Sequence, residues 1–109
     1  MENINQLLLD AAQQFGTPLY VYNAEKIVSQ YHKLINAFPD VKVKAHYAMK
    51  ALNNINILKL LKKEGCGIDA VSIQEVKLAL RAGFEASEIM FTPNCVGLEE
   101  IEEGVKLGV

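Results

Sequence analysis

The stretch GCGIDAVSIQEVKLALRAG, residues 65–83, contains a complete strand-to-helix unit. Residues 67–71 form a short apolar run that is typical of a buried strand. Ser72 followed three residues later by Glu75 is a capping-box pattern and predicts the start of a helix, while Gly83 predicts its end. The stretch therefore predicts one βα unit.

The same pattern occurs on both sides of this unit. Upstream, a strand over 43–49 is followed by an Asn-rich turn and by a helix that ends at Gly65; downstream, a strand over 88–92 is followed by a helix that ends at Gly108. We expect these two helices to pack inward through apolar residues at helical spacing: Ile55, Leu58 and Leu61 in the first, and Leu98, Ile101 and Val105 in the second. Strands that alternate with helices in this way predict right-handed βαβ units and a parallel sheet.

Residues 1–42 are predicted to form a helix–strand–helix lead-in. The first helix has Ile4, Leu7, Leu8, Ala11 and Phe15 at helical spacing and ends at Gly16. The segment PLYVY, 18–22, is short and rich in β-formers, which predicts a strand. The second helix begins after Asn23 as its N-cap, ends before Pro39, and directs Ile27, Tyr31, Leu34 and Phe38 inward.

The fold class is therefore α/β, with three βα units over residues 43–109. Three strands cannot close a barrel, and a (β/α)8 barrel typically needs about 250 residues. A three-stranded parallel sheet would also leave a bare edge and one uncovered face. We interpret the chain as the first part of a larger barrel; the alternative is a small open sheet that is complete in itself.

The composition excludes several classes of protein. The chain of 109 residues has a net charge of -2, 50% hydrophobic and 22% charged residues, and scattered lysines, so no nucleic-acid footprint is expected. No apolar run is long enough for a membrane span, and the acidic N-terminus does not resemble a secretory signal. Cys66 and Cys95 form no CxxC pair and are predicted to be reduced thiols in a cytoplasmic protein without a metal site.

Chemically useful side chains are predicted at the carboxyl ends of the strands, where ligands bind in parallel α/β folds. Lys50, Asp69 and Asn94 come at or just after these ends. Strand alternation places Lys50 on the same face as Ala48 and His46. A lysine there binds an anion as a point charge or forms a Schiff base with a carbonyl; the alternative is a lysine that extends from the strand end into solvent.

The combination of motifs resembles the fold-type III pyridoxal-phosphate decarboxylases. YAMKALNN, residues 47–54, is similar to their YAVKAN signature, and residues 65–84 are similar to their G-x-G-x-D-x-x-S-x-x-E segment. EIMFTPN, 88–94, resembles the strand that follows, and GTPLYVYNAEKI, 16–27, resembles the opening of the diaminopimelate decarboxylase branch. The resemblance implies an alanine-racemase-like (β/α)8 TIM barrel that binds pyridoxal 5'-phosphate, followed by a β domain that is absent here, and a homodimer with shared active sites.

The resemblance implies a role for several residues. Lys50 corresponds to the Schiff-base lysine, and Asp69 to an acidic residue beside the cofactor, although a plain aspartate at a strand end is the alternative. Glu75 corresponds to a glutamate that helps to hold the site, yet the capping box explains it equally well. Asn94 corresponds to an asparagine that binds polar substrate atoms.

Four further residues lie in or next to the predicted strands. Ala48 is expected to be small so that the cofactor lies close to the strand. His46 is interpreted as a hydrogen-bonded histidine of the barrel interior, with tuning of the Schiff base as the alternative. Cys66, at the amino end of a strand, is expected to be inert, and Cys95 is near the active edge without an assigned role.

Two positions depart from the family pattern. Leu52 replaces the asparagine of YAVKAN, although Asn53 and Asn54 follow, and Val96 stands where many relatives have a basic residue. Neither departure touches Lys50 or the spacing from Asp69 to Glu75.

The resemblance implies decarboxylation of meso-diaminopimelate to L-lysine, the final step of lysine biosynthesis. One alternative is a decarboxylase of the same fold that acts on ornithine, arginine or carboxynorspermidine. Another is a non-catalytic barrel protein that carries vitamin B6. Residues 1–109 alone are expected to be inactive and to retain the cofactor weakly, since the phosphate is usually held by loops after strands 7 and 8 of such a barrel.

Overall fold

The computed structural model describes residues 4–109 and consists of five helices and three short strands in these residues. Two 3-10 turns, Met49–Ala51 and Ala86–Glu88, lie directly after and before strands. In chain order the elements are α1 Ile4–Phe15, α2 Ala24–Asn36, β1 His46–Ala48, α3 Ile55–Lys63, β2 Gly67–Ala70, α4 Ile73–Ala82, β3 Ile89–Phe91 and α5 Leu98–Leu107.

The sheet is parallel, with the strand order β1-β2-β3. Tyr47 is paired with Ile68, and Ile68 with Ile89, so that these three residues form one row across the three strands. The predicted three βα units with parallel strands are confirmed. Each strand is shorter than predicted because the ladder extends over only three or four residues.

The hydrophobic core lies between one face of the sheet and the helices α3 and α4. Ile68 of β2, Leu58 of α3 and Val76 of α4 are completely buried, together with Met49 from the turn after β1. A smaller apolar cluster around Ile57, Leu61 and Cys66 packs α2 against α3 and β1. The opposite face of the sheet is less covered, since Asp69 on it is half-buried and Met90 is exposed.

The local signals for the start and end of α4 are confirmed by its geometry. Ser72 is the N-cap, and its Oγ accepts a hydrogen bond from the backbone N–H of Glu75 at 3.3 Å. Gly83 ends the helix with φ +100°, a left-handed conformation that is costly for residues with a Cβ. The capping box is incomplete, because the Glu75 carboxylate accepts from Val71 N–H at 2.8 Å and not from Ser72.

The predicted strand over 18–22 is wrong, since this segment pairs with no strand in residues 4–109. Tyr20 within it is 88% exposed. The β-rich composition reports local preference, whereas a strand also needs a partner with free backbone hydrogen-bonding groups. The first predicted helix is confirmed as α1, although none of its residues is buried.

The second lead-in helix ends earlier than predicted. It stops at Asn36 with Ala37 as its C-cap, so that Phe38, which was expected to face inward, lies outside the helix and is exposed. Steric conflict with the ring of Pro39 disfavours helical geometry for the residue before it.

The orientation of α5 also differs from the prediction. The stripe that was expected to be buried is exposed: Leu98, Ile101 and Val105. The helix instead packs through Gly104, where an added Cβ would lie 2.8 Å from the Phe91 ring, and Leu107 joins the core. The glutamates on α5 support this orientation, since Glu100 accepts from Ile73 N–H at 3.2 Å and Glu103 pairs with Lys77 at 2.7 Å.

Candidate active site

The less covered face of the sheet contains a row of residues close to the strand ends. Ala48, Asp69 and Met90 are register partners across the three strands. Side chains alternate along a strand, so this row lies opposite the buried row of Ile68 and Ile89. Asp69 is half-buried and Met90 is exposed, which leaves this face open for contact with a ligand.

Lys50 lies in the turn Met49–Ala51, immediately after β1, and not in the strand itself. The prediction that strand alternation continues from His46 through Ala48 to Lys50 is therefore wrong at its last step, because the ladder with β2 ends at Ala48. His46 and Ala48 do lie in alternate positions of β1. Lys50 is exposed at the carboxyl edge of the sheet, next to the completely buried Met49.

The carboxylate of Asp69 accepts a hydrogen bond from the hydroxyl of Thr92, a residue that was not predicted to belong to the site. Thr92 Oγ1 donates to Asp69 Oδ1 at 2.6 Å, and the backbone N–H of Thr92 donates to the carbonyl of Ala70 at 2.8 Å. The second bond continues the β2–β3 ladder and fixes Thr92 beside Asp69. This contact depends on the pairing of β2 with β3, which brings together residues 23 positions apart in the sequence.

Glu75 is separated from the row by the loop that follows β2. Its carboxylate is engaged by Val71 N–H, so that the side chain holds the loop between Asp69 and α4. This contact favours the structural interpretation of Glu75 without testing a role in cofactor binding.

His46 lies one register pair closer to the amino end of the sheet than Ala48 and Asp69. Its imidazole covers Gly67: a Cβ on Gly67 would be 2.5 Å from His46 Cδ2 and 2.7 Å from Nε2. The hydrogen-bond partner that was expected for His46 is not found in the described part of the chain, residues 4–109. Its side chain therefore supports the floor of the site by packing.

The loop after β3 brings Asn94 to the same edge of the sheet. Asn94 is exposed, and its Oδ1 accepts from the thiol of Cys95 at 3.3 Å. Cys95 has φ +55° and is exposed. No ligand contact of either residue follows from this arrangement.

Cys66 occupies a different environment at the amino end of β2. Its thiol is buried and donates to the carbonyls of Ala45 at 3.4 Å and Gly67 at 3.3 Å. Burial raises the pKa of the Cys66 thiol, which opposes formation of the reactive thiolate. The contacts agree with the expectation of an unreactive thiol.

A cavity of about 520 Å³ lies elsewhere, between α2, β1 and α3. Its walls are mainly apolar and include Tyr31, Tyr47 and Leu61, and Asp69 and Lys50 are not among them. The candidate site is therefore defined by the chemistry at the strand ends and not by this cavity.

The described residues contain no set of three side chains that could hold a metal ion, and no helix in this part of the chain is long and apolar enough to cross a membrane. The groups at the strand ends are a primary amine and a carboxylate beside the small side chain of Ala48. An amine bonds covalently to an aldehyde, and a carboxylate stabilises a neighbouring cation. This donor set fits a pyridoxal cofactor.

Comparison with known proteins identifies the class. Residues 24–109 match the family described as pyridoxal-dependent decarboxylase, pyridoxal binding domain. The chain belongs to this family of pyridoxal-binding domains.

Individual relatives define the likeness more closely. The chain is 38% identical over 103 residues to a diaminopimelate decarboxylase from Methanothermobacter thermautotrophicus, covering 93% of this chain and 24% of that protein. The crystal structure of diaminopimelate decarboxylase from Helicobacter pylori complexed with L-lysine superposes with a TM-score of 0.84 at 36% identity, over 98% of this chain and 26% of that one. A lysine/ornithine decarboxylase from Vibrio vulnificus complexed with cadaverine gives a TM-score of 0.89 at 29% identity, over 99% of this chain and 29% of that one. The chain thus spans about a quarter of the length of the relatives that it matches.

Proposed function

We propose that the chain supplies the cofactor-anchoring part of a diaminopimelate decarboxylase, which converts meso-diaminopimelate to L-lysine and carbon dioxide. The observation that carries the proposal is the position of Lys50, an exposed amine at the carboxyl edge of a parallel sheet in a pyridoxal-binding domain. When bound, the cofactor supplies an electron sink for the carbanion that loss of carbon dioxide leaves.

Each residue at the sheet edge has a part in this proposal. Lys50 would hold the cofactor through its amine, which is exposed at the edge of the sheet. Asp69, held by Thr92, presents a carboxylate that favours a cation next to it. The small side chain of Ala48 leaves space above the strand, where the ring of the cofactor would fit against the sheet. Asn94 is proposed to contact polar atoms of the substrate.

His46 and Glu75 act on the site through their neighbours in this proposal. His46 covers Gly67 below the row, and Glu75 fixes the loop after Asp69 through Val71. A homodimer with shared active sites is a prediction that rests on the family resemblance.

Peptide mapping tests the role of Lys50. The complete gene product is incubated with pyridoxal phosphate, reduced with borohydride and digested, and the pyridoxyl group is located by mass spectrometry. We expect the label on Lys50, and loss of decarboxylation in the Lys50→Ala variant. A label confined to other lysines contradicts the proposal.

The substrate needs a separate experiment, because one observation favours a second candidate. The superposition on the lysine/ornithine decarboxylase is as close as that on the diaminopimelate enzyme, with TM-scores of 0.89 and 0.84. Sequence identity favours diaminopimelate, at 36–38% against 29%. Release of carbon dioxide is compared for meso-diaminopimelate, lysine, ornithine and arginine, and preference for any of the last three selects the second candidate.

A further inference from the structure

The turn that carries Lys50 is held by one conspicuous side-chain contact. Met49–Ala51 is only three residues long, and no side-chain hydrogen bond caps it at Ala48. Tyr47 Oη donates to the carbonyl of Leu52 at 3.0 Å, so that this bond closes a loop around residues 48–51. Lys50 lies inside the loop.

Tyr47 is itself firmly placed. It is paired with the fully buried Ile68 in the sheet, and its ring packs against both apolar clusters of the domain. Burial raises the pKa of the Tyr47 hydroxyl, with a smaller contribution from Tyr22, and the group therefore stays protonated and donates at neutral pH. Because the core holds the Tyr47 ring in place, the hydrogen bond from its hydroxyl restrains the backbone at Leu52.

The two sides of the turn are thus fixed independently. Before Lys50, the side chain of Met49 is completely buried in the core. After Lys50, the carbonyl of Leu52 is bound to Tyr47. The backbone at Lys50 is consequently restrained, although its side chain is exposed at the edge of the sheet.

We propose that Tyr47 is a positioning residue for Lys50: its hydroxyl holds the turn so that the lysine amine is presented at the carboxyl edge of the sheet. The proposal rests on the assignment of Lys50 as the cofactor-anchoring lysine. It also gives a physical reason for the spacing of tyrosine and lysine in residues 47–50, since the side chain of residue 47 must reach the carbonyl just beyond the turn.

The test removes the hydroxyl and keeps the ring. Tyr47→Phe is compared with Tyr31→Phe in the complete gene product. Tyr31 is a matched control because it is also half-buried in the smaller apolar cluster and the pKa of its hydroxyl is also raised by burial, yet no hydrogen bond joins its hydroxyl to the turn within residues 4–109. Both variants are compared with the parent protein by circular dichroism before the assay.

The readout is independent of decarboxylation. Pyridoxal phosphate is fixed on lysine amines by borohydride at several times of incubation, and the label on Lys50 is divided by the label on Lys63, an exposed lysine at the end of α3. This ratio follows the presentation of Lys50 within folded molecules. We expect Tyr47→Phe to lower the initial ratio about fivefold, the factor that corresponds to one ordinary hydrogen bond, and Tyr31→Phe to leave it unchanged.

The outcomes separate this inference from the proposed function. If the parent protein is labelled on Lys50 and Tyr47→Phe has the same ratio, the positioning role is overturned while the assignment of Lys50 stands. If the parent protein is not labelled on Lys50, the proposed function fails and this inference fails with it. A Tyr47→Phe protein that does not fold also overturns the positioning role, because the hydroxyl would then support the whole domain and not the turn.

Discussion

Among the glycines in the described residues, Gly67 is the one at which an added Cβ would have the least space. A Cβ there would meet the His46 ring at 2.5 Å and the carbonyl oxygen of Glu88 at 3.0 Å. The His46 ring can move without the backbone, whereas the Glu88 carbonyl is part of the backbone before β3. Glycine at 67 therefore allows the His46 ring to lie flat on the sheet below the candidate site.

Replacement of Gly67 by alanine is expected to destabilise the protein by about 1–3 kcal/mol, the usual cost of overpacking. The measurement is urea-induced unfolding. Gly97→Ser is the matched control, since an added Cβ at this N-cap of α5 meets no atom within 4 Å and serine is a favourable cap. The double variant His46→Ala/Gly67→Ala should regain part of the loss, and equal stability of Gly67→Ala and the parent protein contradicts the argument.

Thr92 and Asp69 form the shortest contact at the strand ends, and their coupling is measurable. Thr92→Val removes the hydroxyl and keeps the shape, so that the half-buried Asp69 carboxylate loses its donor at a cost of about 1 kcal/mol. Thr92→Ser keeps the donor and should lose less. A double-mutant cycle with Asp69→Ala gives the coupling energy, and a value near zero would show that the bond does not contribute to stability.

At the residue scale, the identity of the site was only partly predictable from the sequence. Lys50 and Asp69 were found because the family motif marks them. Thr92 was missed, because its partner is 23 positions away and only the parallel register of β2 and β3 brings the two side chains together. Contacts of this kind depend on strand register, which a local pattern does not contain.

At the scale of elements, the ends of helices were the most predictable features. Asn23, Ser72 and Gly83 act through their own backbone neighbours, and the structure confirms each as a cap. The packing direction of α5 was not predictable, because the helix has apolar residues on more than one side and the approach of Gly104 to Phe91 selects one of them. The failed strand over 18–22 has the same cause, since pairing requires a distant partner.

The ion pair between Lys62 and Glu88 links α3 to the turn before β3, and it makes stability depend on pH. Lys62 Nζ is 2.8 Å from Glu88 Oε2, and this hydrogen bond, together with one from Glu85 N–H, lowers the pKa of the Glu88 carboxyl. A lowered pKa in the folded state means that the stabilisation is present above the ordinary pKa of 4.5 and is lost as the pH falls through the folded value.

As the pH is lowered from 6 to 3, we expect the loss of this ion pair to reduce the free energy of unfolding by less than about 1 kcal/mol. This is the usual contribution of a partly exposed ion pair. The free energy of unfolding in urea is measured at several pH values. In the Lys62→Met variant, the part of its pH dependence that comes from the ion pair should be smaller. Lys77→Met is the matched control, because the Lys77–Glu103 pair is more exposed, at 53% and 43% of the side-chain surfaces. An equal effect of the two variants contradicts the ranking by exposure.

At the scale of the whole molecule, the sheet has one covered face and one open face. The core lies under α3 and α4, whereas Asp69, Met90 and Thr92, which are half-buried or exposed, lie on the opposite side. The sequence predicted this arrangement because alternating strands and helices allow few topologies. It could not predict how much of the cofactor is enclosed, which depends on parts of the fold that residues 4–109 do not include.

The open face leads to a prediction about selectivity for the phosphate group of the cofactor. In barrels of this class the phosphate is bound by the loops after strands 7 and 8, and the described residues contain three strands. Residues 1–109 expressed alone should therefore label Lys50 with pyridoxal and with pyridoxal phosphate at similar rates, once each rate is divided by that of free N-acetyl-lysine. The complete gene product should prefer pyridoxal phosphate by at least about a hundredfold, because two charge-assisted hydrogen bonds to phosphate provide that factor. Lys50→Ala controls for labelling elsewhere, and a strong preference for the phosphate by residues 1–109 alone would place a phosphate site within this part of the fold.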